Sequence, residues 1–492
     1  MIRIPLLSGA YQSRSIIAGA QRCINLYPEK NEDPQAPVPV THFPTPGLIA
    51  RGTPPAIGAS RGFYRASNGN VYQVIDTTLY QISPGFVYTA LGTVAALLTQ
   101  VIMADNGLVL VLVDGSTTGY AVDMATGNFA PISDPNFLGG TFVRYMDGFF
   151  IFNTPGTNEW QISLYLVDFD NLTAGTITPP YLYPAFDPLD VATKNGYPDP
   201  IAAIVVMHRN IWLLGALTTE VWYNSGAADF PFAAIPGVFA QFGCPAPYSV
   251  ATQDLSVFWL AQDMNGHAIV LRGTADYQVS ELSSKGIEAI LQQAPTIDDA
   301  IGACYQQNGH AYYVLTLPTL GRSFQAELKT QDWTEIAYTG PNGFERYRGI
   351  QWQFAYGLNL STDYQNGKIY QVDPNTYTDN DKPITRLRTI PHILAEGKRL
   401  QINRLIADVQ GGTLGSATPQ NPPPMFLRVS RDRGGSFGNV LESQFGAAGE
   451  YGHFPYWANL GYARDWVFEL SWSAPINTAL NGIWIDGKEM TT

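Results

Sequence analysis

Short apolar runs, paired across tight polar turns, recur along this chain roughly every 40–55 residues, and that recurrence limits the fold more than any single motif does. The clearest unit spans 211–232. Ile211-Trp212-Leu213-Leu214-Gly215 forms one run, Ala216-Leu217-Thr218-Thr219 a turn, and Glu220-Val221-Trp222-Tyr223 a second run. β-branched and aromatic residues fit a pleated, half-buried surface, so this unit predicts a hairpin. Asn224-Ser225-Gly226 ends it. Asp229-Phe230-Pro231-Phe232 cannot extend a central strand, because proline has no N–H for the ladder. Comparable units fall at 71–82, 108–129, 149–152, 256–272, 311–333 and 349–373. Asp76-Thr77-Thr78, Asp114-Gly115, Asp147-Gly148 and Asn265-Gly266 punctuate them. The spacing matches four-stranded propeller blades. The expectation is an all-β chain: a β-propeller of about seven blades, with six as the alternative, followed by a C-terminal β-sandwich. Stacked sandwiches share part of the pattern.

Composition agrees with that class. The chain of 492 residues is 45% hydrophobic and 12% aromatic but only 14% charged, with 47 Gly and 35 Pro. Many aromatics and turn formers with few charges suit short strands and loops, and the low charge argues against disorder. The net charge of −13 argues against a protein that grips nucleic acid by neutralising phosphates. A protein that surrounds a duplex without gripping it stays open. Cys23, Cys244 and Cys304 are far apart and odd in number, with no CxxC. Buried free thiols in a reducing cytosol are expected. No apolar stretch approaches the roughly 18 residues of a membrane span, and the opening MIRIPLLSGAYQ lacks a signal-peptide core, so synthesis and folding in a cytoplasm are expected.

Three regions are predicted. Residues 1–52 are rich in proline but carry Ile24, Leu26, Tyr27, Phe43 and Leu48, and read as an extended, ordered arm. Residues 53–381 form the propeller, with one short helix over 284–292. Residues 382–492 form the sandwich; Trp466–Trp472 is strand-like and 411–424 is a loop. A second long loop, 179–200, carries Tyr181, Tyr183, Phe186 and Tyr197. Aromatic, proline-rich loops of this length often contact partners, and packing over the chain's own propeller is the equal alternative.

The motifs are structural. Ser430-Arg431-Asp432-Arg433-Gly434-Gly435-Ser436-Phe437 is close to the Asp-box S-x-D-x-G-x-T-W, in which the Asp carboxylate accepts turn N–H groups. Gly58-Ala59-Ser60-Arg61-Gly62 fits the nucleophile elbow G-x-S-x-G, but nothing nearby supplies the required helix. The six histidines show no metal-ligand spacing, and no Walker, dinucleotide or calcium loop occurs. Asp298-Asp299 read as turn or cap residues, and Asp187, Asp190 and Asp199 lie in the proline-rich loop 179–200, with their separation in the fold left open by the sequence. No catalytic residue, cofactor or metal site is expected.

WLLGALTTEVWYNSG, followed by DFPF, Gly243-Cys244 and Phe258-Trp259-Leu260 with Asp263 and Gly266, resembles the packaged-DNA stabilisation proteins of short-tailed bacteriophages. The likeness runs from Arg22-Cys23-Ile24-Asn25-Leu26-Tyr27-Pro28-Glu29 to the tract near 465–470. It implies a propeller and a structural, non-enzymatic role in the virion tail. In such proteins about six copies ring the tail axis, below the portal-adaptor and above the needle or distal tail protein. The ring helps seal the channel and retain packaged double-stranded DNA, which passes without sequence-specific binding. Trp212, Trp222, Phe230, Phe232 and Trp259, the loop residues Tyr181, Tyr183 and Phe186, and Arg431, Asp432 and Arg433 are the candidate structural or interface residues. A polysaccharide-degrading or carbohydrate-binding tail protein is the alternative.

Overall fold

The computed structural model describes residues 1–165, 184–411, 422–447 and 449–490. Among them are seven four-stranded antiparallel blades; the first five are separate sheets, the sixth is part of an eleven-stranded sheet and the seventh of a six-stranded one. Their innermost strands begin at Ser60, Ile102, Val143, Ile201, Ala251, Ile301 and Gly349, in steps of 41–58 residues. These seven strands surround one central channel. Each of the first six blades meanders outward through consecutive strands. The hairpin at 211–232 supplies the two middle strands of the fourth blade, Asn210–Gly215 and Thr219–Asn224, with Trp212 opposite Val221.

Strands buried on both faces read as continuous apolar runs, which is why Val109–Val113 and Ser256–Gln262 contain almost no alternation. Their side chains interdigitate between neighbouring blades. One cluster joins Val74 and Leu79 of the first blade to Leu110 and Leu112 of the second. Another joins Phe63, Val71 and Ile82 of the first blade to Ala355, Leu360 and Ile369 of the seventh, so the ring closes on itself. The expected helix is present as α1 (Lys285–Leu291), capped by the Ser284 hydroxyl and burying Ile287, Ile290 and Leu291.

The first 52 residues contribute strands to both domains. They include β1 (Ile2–Pro5), β2 (Cys23–Ile24), β3 (Leu26–Lys30), β4 (Val40–Pro44) and β5 (Gly47–Arg51). β5 is the fourth strand of the seventh blade, antiparallel to β6 (Ile369–Asp373), with Leu48 opposite Val372, and the short strand Thr378–Asp379 pairs in parallel with its outer edge. The propeller is therefore closed by a strand from the start of the chain.

Downstream, β7 (Leu400–Gln410), β8 (Tyr456–Ala463) and β9 (Ala479–Glu489) form a sheet that β1, β4 and β3 extend. The facing sheet carries Arg386–Thr389, Asp465–Trp472 and Pro424–Ser430. Leu6, Cys23 and Leu26 lie in the sandwich core with Leu405, Met425, Trp466 and Trp472.

Candidate functional site: the interdomain seam and the central channel

The aromatic candidates of the fourth blade are core residues. Trp222 meets Trp160 of the third blade edge to face at 5.2 Å, and Phe230 and Phe232 pack on the same indole. Trp212 and Trp259 are fully buried, and a methyl added at Gly273 would lie 2.8 Å from the Trp212 ring. Glycine is needed there because two blades meet across it. Phe186 is buried between Phe137 and Phe152, folding its part of the 179–200 loop onto the propeller. Tyr181 and Tyr183 lie outside the described residues.

The Asp-box closes a hairpin as its chemistry dictates. Asp432 accepts from the Ser430 hydroxyl (2.6 Å), the Ser436 hydroxyl (2.6 Å) and the Ser436 N–H (2.9 Å). Those donors hold its carboxyl down at about 2. Arg431 donates to the Leu460 carbonyl at 2.6 Å and lies over Trp466, and Arg433 pairs with Asp465 at 3.2 Å. Both arginines thus have partners within the chain. Ser60, the elbow serine, opens a strand, and its hydroxyl bonds Gln351. Among the described residues no group of three His, Cys, Asp or Glu gathers to hold a metal.

The seam between the domains, which holds none of the candidate residues, is densely hydrogen-bonded. β2 pairs on one side with the last strand of the sixth blade, at Glu335, and on the other with Arg386–Thr389 of the sandwich. One continuous sheet therefore crosses from propeller to sandwich. Asn25 sits beside it, fully buried, with φ at +55°, a left-handed conformation that asparagine tolerates. Its Nδ2 donates to the carbonyls of Ala337 (2.9 Å) and Thr385 (2.8 Å), and its Oδ1 accepts from the Ala337 N–H at 2.8 Å. One side chain thus bonds both domains.

Two arginines are buried at the same seam. Arg388 donates to the carbonyls of Arg22 and Ser8 and to Gln21 Oε1, and Arg386 to the carbonyls of Ile384, Ala474 and Tyr377. Burial pushes Arg386 down to about 10. Asp379, also buried, is pushed up to about 7 by burial, against the pull of Arg386 and Arg348.

The central channel encloses about 930 Å³. Asp105 on its wall is saturated by the Tyr64 hydroxyl (2.8 Å), the N–H groups of Ser67 and Gly107, and the Ser67 hydroxyl.

These features define a structural class: a closed seven-bladed propeller stitched to a β-sandwich by its own N-terminal strands. The family model for bacteriophage P22 Gp10, beta-propeller, matches residues 2–377, and the chain belongs to that phage stabilisation family. It is a structural β-propeller protein of a phage virion. No curated protein matches the chain. Among solved structures it aligns with the extracellular domain of a protein from B. thetaiotaomicron described as a hybrid two-component system, at 9% identity and TM-score 0.43, covering 82% of this chain and 47% of that one. It also aligns with the computationally designed protein Ika8, at 12% identity and TM-score 0.37, over 75% and 99% of the two chains. YCF48 bound to D1 peptide aligns at 9% identity and TM-score 0.40, over 67% and 97%. The chain spans about half the length of the first of these (47%).

Proposed function

We propose that this chain is a hub protein of a short phage tail, which assembles in a ring beneath the portal-adaptor, helps seal the exit channel over packaged DNA and connects to the needle or distal tail protein. The observation that carries the reading is the family match over residues 2–377. The seam suits the role. A hub between a pressurised head and a distal tail must transmit force without its domains parting, and a sheet shared by both domains resists separation along its hydrogen bonds. DNA would pass through the ring of copies, since a channel of about 930 Å³ within one propeller cannot take a duplex.

Sedimentation of the purified chain, alone and with a portal–adaptor complex, tests the proposal. Association with that complex in several copies is expected. A chain that never joins it would remove the hub assignment.

A further inference from the structure

Arg144 is the unusual residue of the central channel. It lies on the innermost strand of the third blade and lines the cavity. Among the described residues it has no carboxylate within ion-pair distance, and its one protein acceptor is the carbonyl of its neighbour Val143, at 2.8 Å. The contrast with Arg386 and Arg388 is informative. Those two are sealed at the seam and each donates to three acceptors. Arg144 carries five donor positions, as every guanidinium does, and among the described residues only Val143 accepts from them. The surrounding protein is dense enough to push it down to about 10 although its tip reaches the cavity. Asp105, the other acidic or basic side chain of the wall, spends its hydrogen bonds on Tyr64, Ser67 and Gly107 and makes no ion pair with Arg144.

The remaining wall joins flat apolar faces to amides. Arg144 lies 5.5 Å over the Phe142 ring, which stacks on Tyr248 at 5.9 Å. Trp352 stacks on Tyr305 at 4.3 Å, and its indole N–H has no acceptor among the described residues. Gln100 likewise has an unpaired, buried amide nitrogen. Gln306, Gln353 and Asn359 donate their N–H groups to Asp254, the Phe63 carbonyl and the Gln306 carbonyl, which leaves amide oxygens as acceptors. The volume falls within the roughly 300–1,000 Å³ of small-molecule sites.

We infer that the propeller channel is a binding site for an acidic saccharide, whose carboxylate pairs with Arg144 while its hydroxyls bond the channel amides and a sugar face stacks on an aromatic ring. An uncompensated guanidinium selects an anion, and its planar fork suits a carboxylate. The amides add donors and acceptors in the mixture that neighbouring hydroxyls present, and the rings cover apolar C–H faces. An acidic peptide would satisfy the arginine and donate backbone N–H groups to the amide oxygens, but it presents no C–H ring face to the aromatic side chains. The inference does not depend on the hub assignment and can fail or hold separately.

The test is calorimetric titration of the full chain with tri-galacturonate, with a neutral trisaccharide and with tri-glutamate as comparisons. Tri-galacturonate should bind saturably with a Kd of about 1 mM or tighter. Its affinity should fall at least about tenfold in Arg144→Gln, as expected for loss of a charge-assisted, bidentate pair. The neutral sugar should bind more weakly by a similar factor, and tri-galacturonate should change the fluorescence of Trp352. If R144Q does not fold, Gln353→Ala and Asn359→Ala, at half-exposed amides, should each weaken binding by about threefold. No saturable binding of tri-galacturonate to the native chain would overturn the inference. So would undiminished binding by folded R144Q, or equal or tighter binding of tri-glutamate.

Discussion

Trp212 shows how much one buried side chain holds in this architecture. Its indole fills the space between the fourth and fifth blades, against Trp259 and the bare backbone of Gly273. Truncation should leave a cavity that flanking strands cannot collapse into, so Trp212→Ala should cost about 3–5 kcal/mol in urea unfolding. Gly273→Ala should destabilise from the opposite direction, by overpacking, at about 1–3 kcal/mol. If both variants unfold at the native midpoint, the interblade contact is not limiting. Asp379 gives a pH signature. Its carboxyl is raised to about 7 in the folded protein, against roughly 3.9 in an unfolded chain. The folded state therefore holds a proton that the unfolded state has lost. The stability linked to this group is complete below about pH 4 and is lost as pH rises to about 7. Native protein should lose roughly 2–4 kcal/mol more than Asp379→Asn between those limits. Thermal unfolding of both across that range measures the difference, and parallel curves would show that Asp379 titrates normally.

At the scale of elements, the strands that were legible in the sequence are those whose partners lie nearby. The hairpin around 216–219 and the turn at Asn265-Gly266 declare themselves because apolar runs flank turn residues on both sides. Helix α1 shows in the spacing of Ile287, Ile290 and Leu291 and in Ser284 ahead of them. The destinations of the N-terminal strands were not legible. β2 is two residues long, and its neighbours lie more than 300 positions away, at Glu335 and Leu387. No periodicity carries that information. Asn25 and Arg144 escaped for the same reason, since each is a single polar residue whose meaning comes from what the fold brings to it. Removing the Asn25 side chain strips three hydrogen bonds from buried partners and places alanine in left-handed backbone. Asn25→Ala should cost roughly 2–4 kcal/mol. Calorimetry should then resolve two transitions, propeller and sandwich, where the native chain shows one. A single, unshifted transition would mean that the seam does not couple the domains.

For the whole molecule, the overall charge sets an expectation about DNA. With 41 acidic and 28 basic residues, the chain should repel a duplex within a screening length of about 8 Å at physiological salt. Of the basic residues around the sandwich, Lys398 pairs with Glu489, Arg428 with Glu469 and Arg433 with Asp465, while Arg399 and Arg404 lie over Tyr462 and Tyr456. Duplex binding at about 0.15 M salt should be no tighter than about 0.1 mM, with a shallow dependence on salt concentration. Tight binding with a steep slope would instead mark a surface that grips the duplex. The closing strand of the propeller has a further consequence, for synthesis. β5 leaves the ribosome early, but its partner β6 is made some 320 residues later. At about 5–20 residues per second the closing strand waits roughly 15–60 s with its pairing edge exposed. Every nascent copy thus carries an open ring through most of its translation, and a ribosome that stalls before Ile369 releases a propeller that cannot shut. Completion of the ring becomes a report, written into the topology, that translation has passed the last blade.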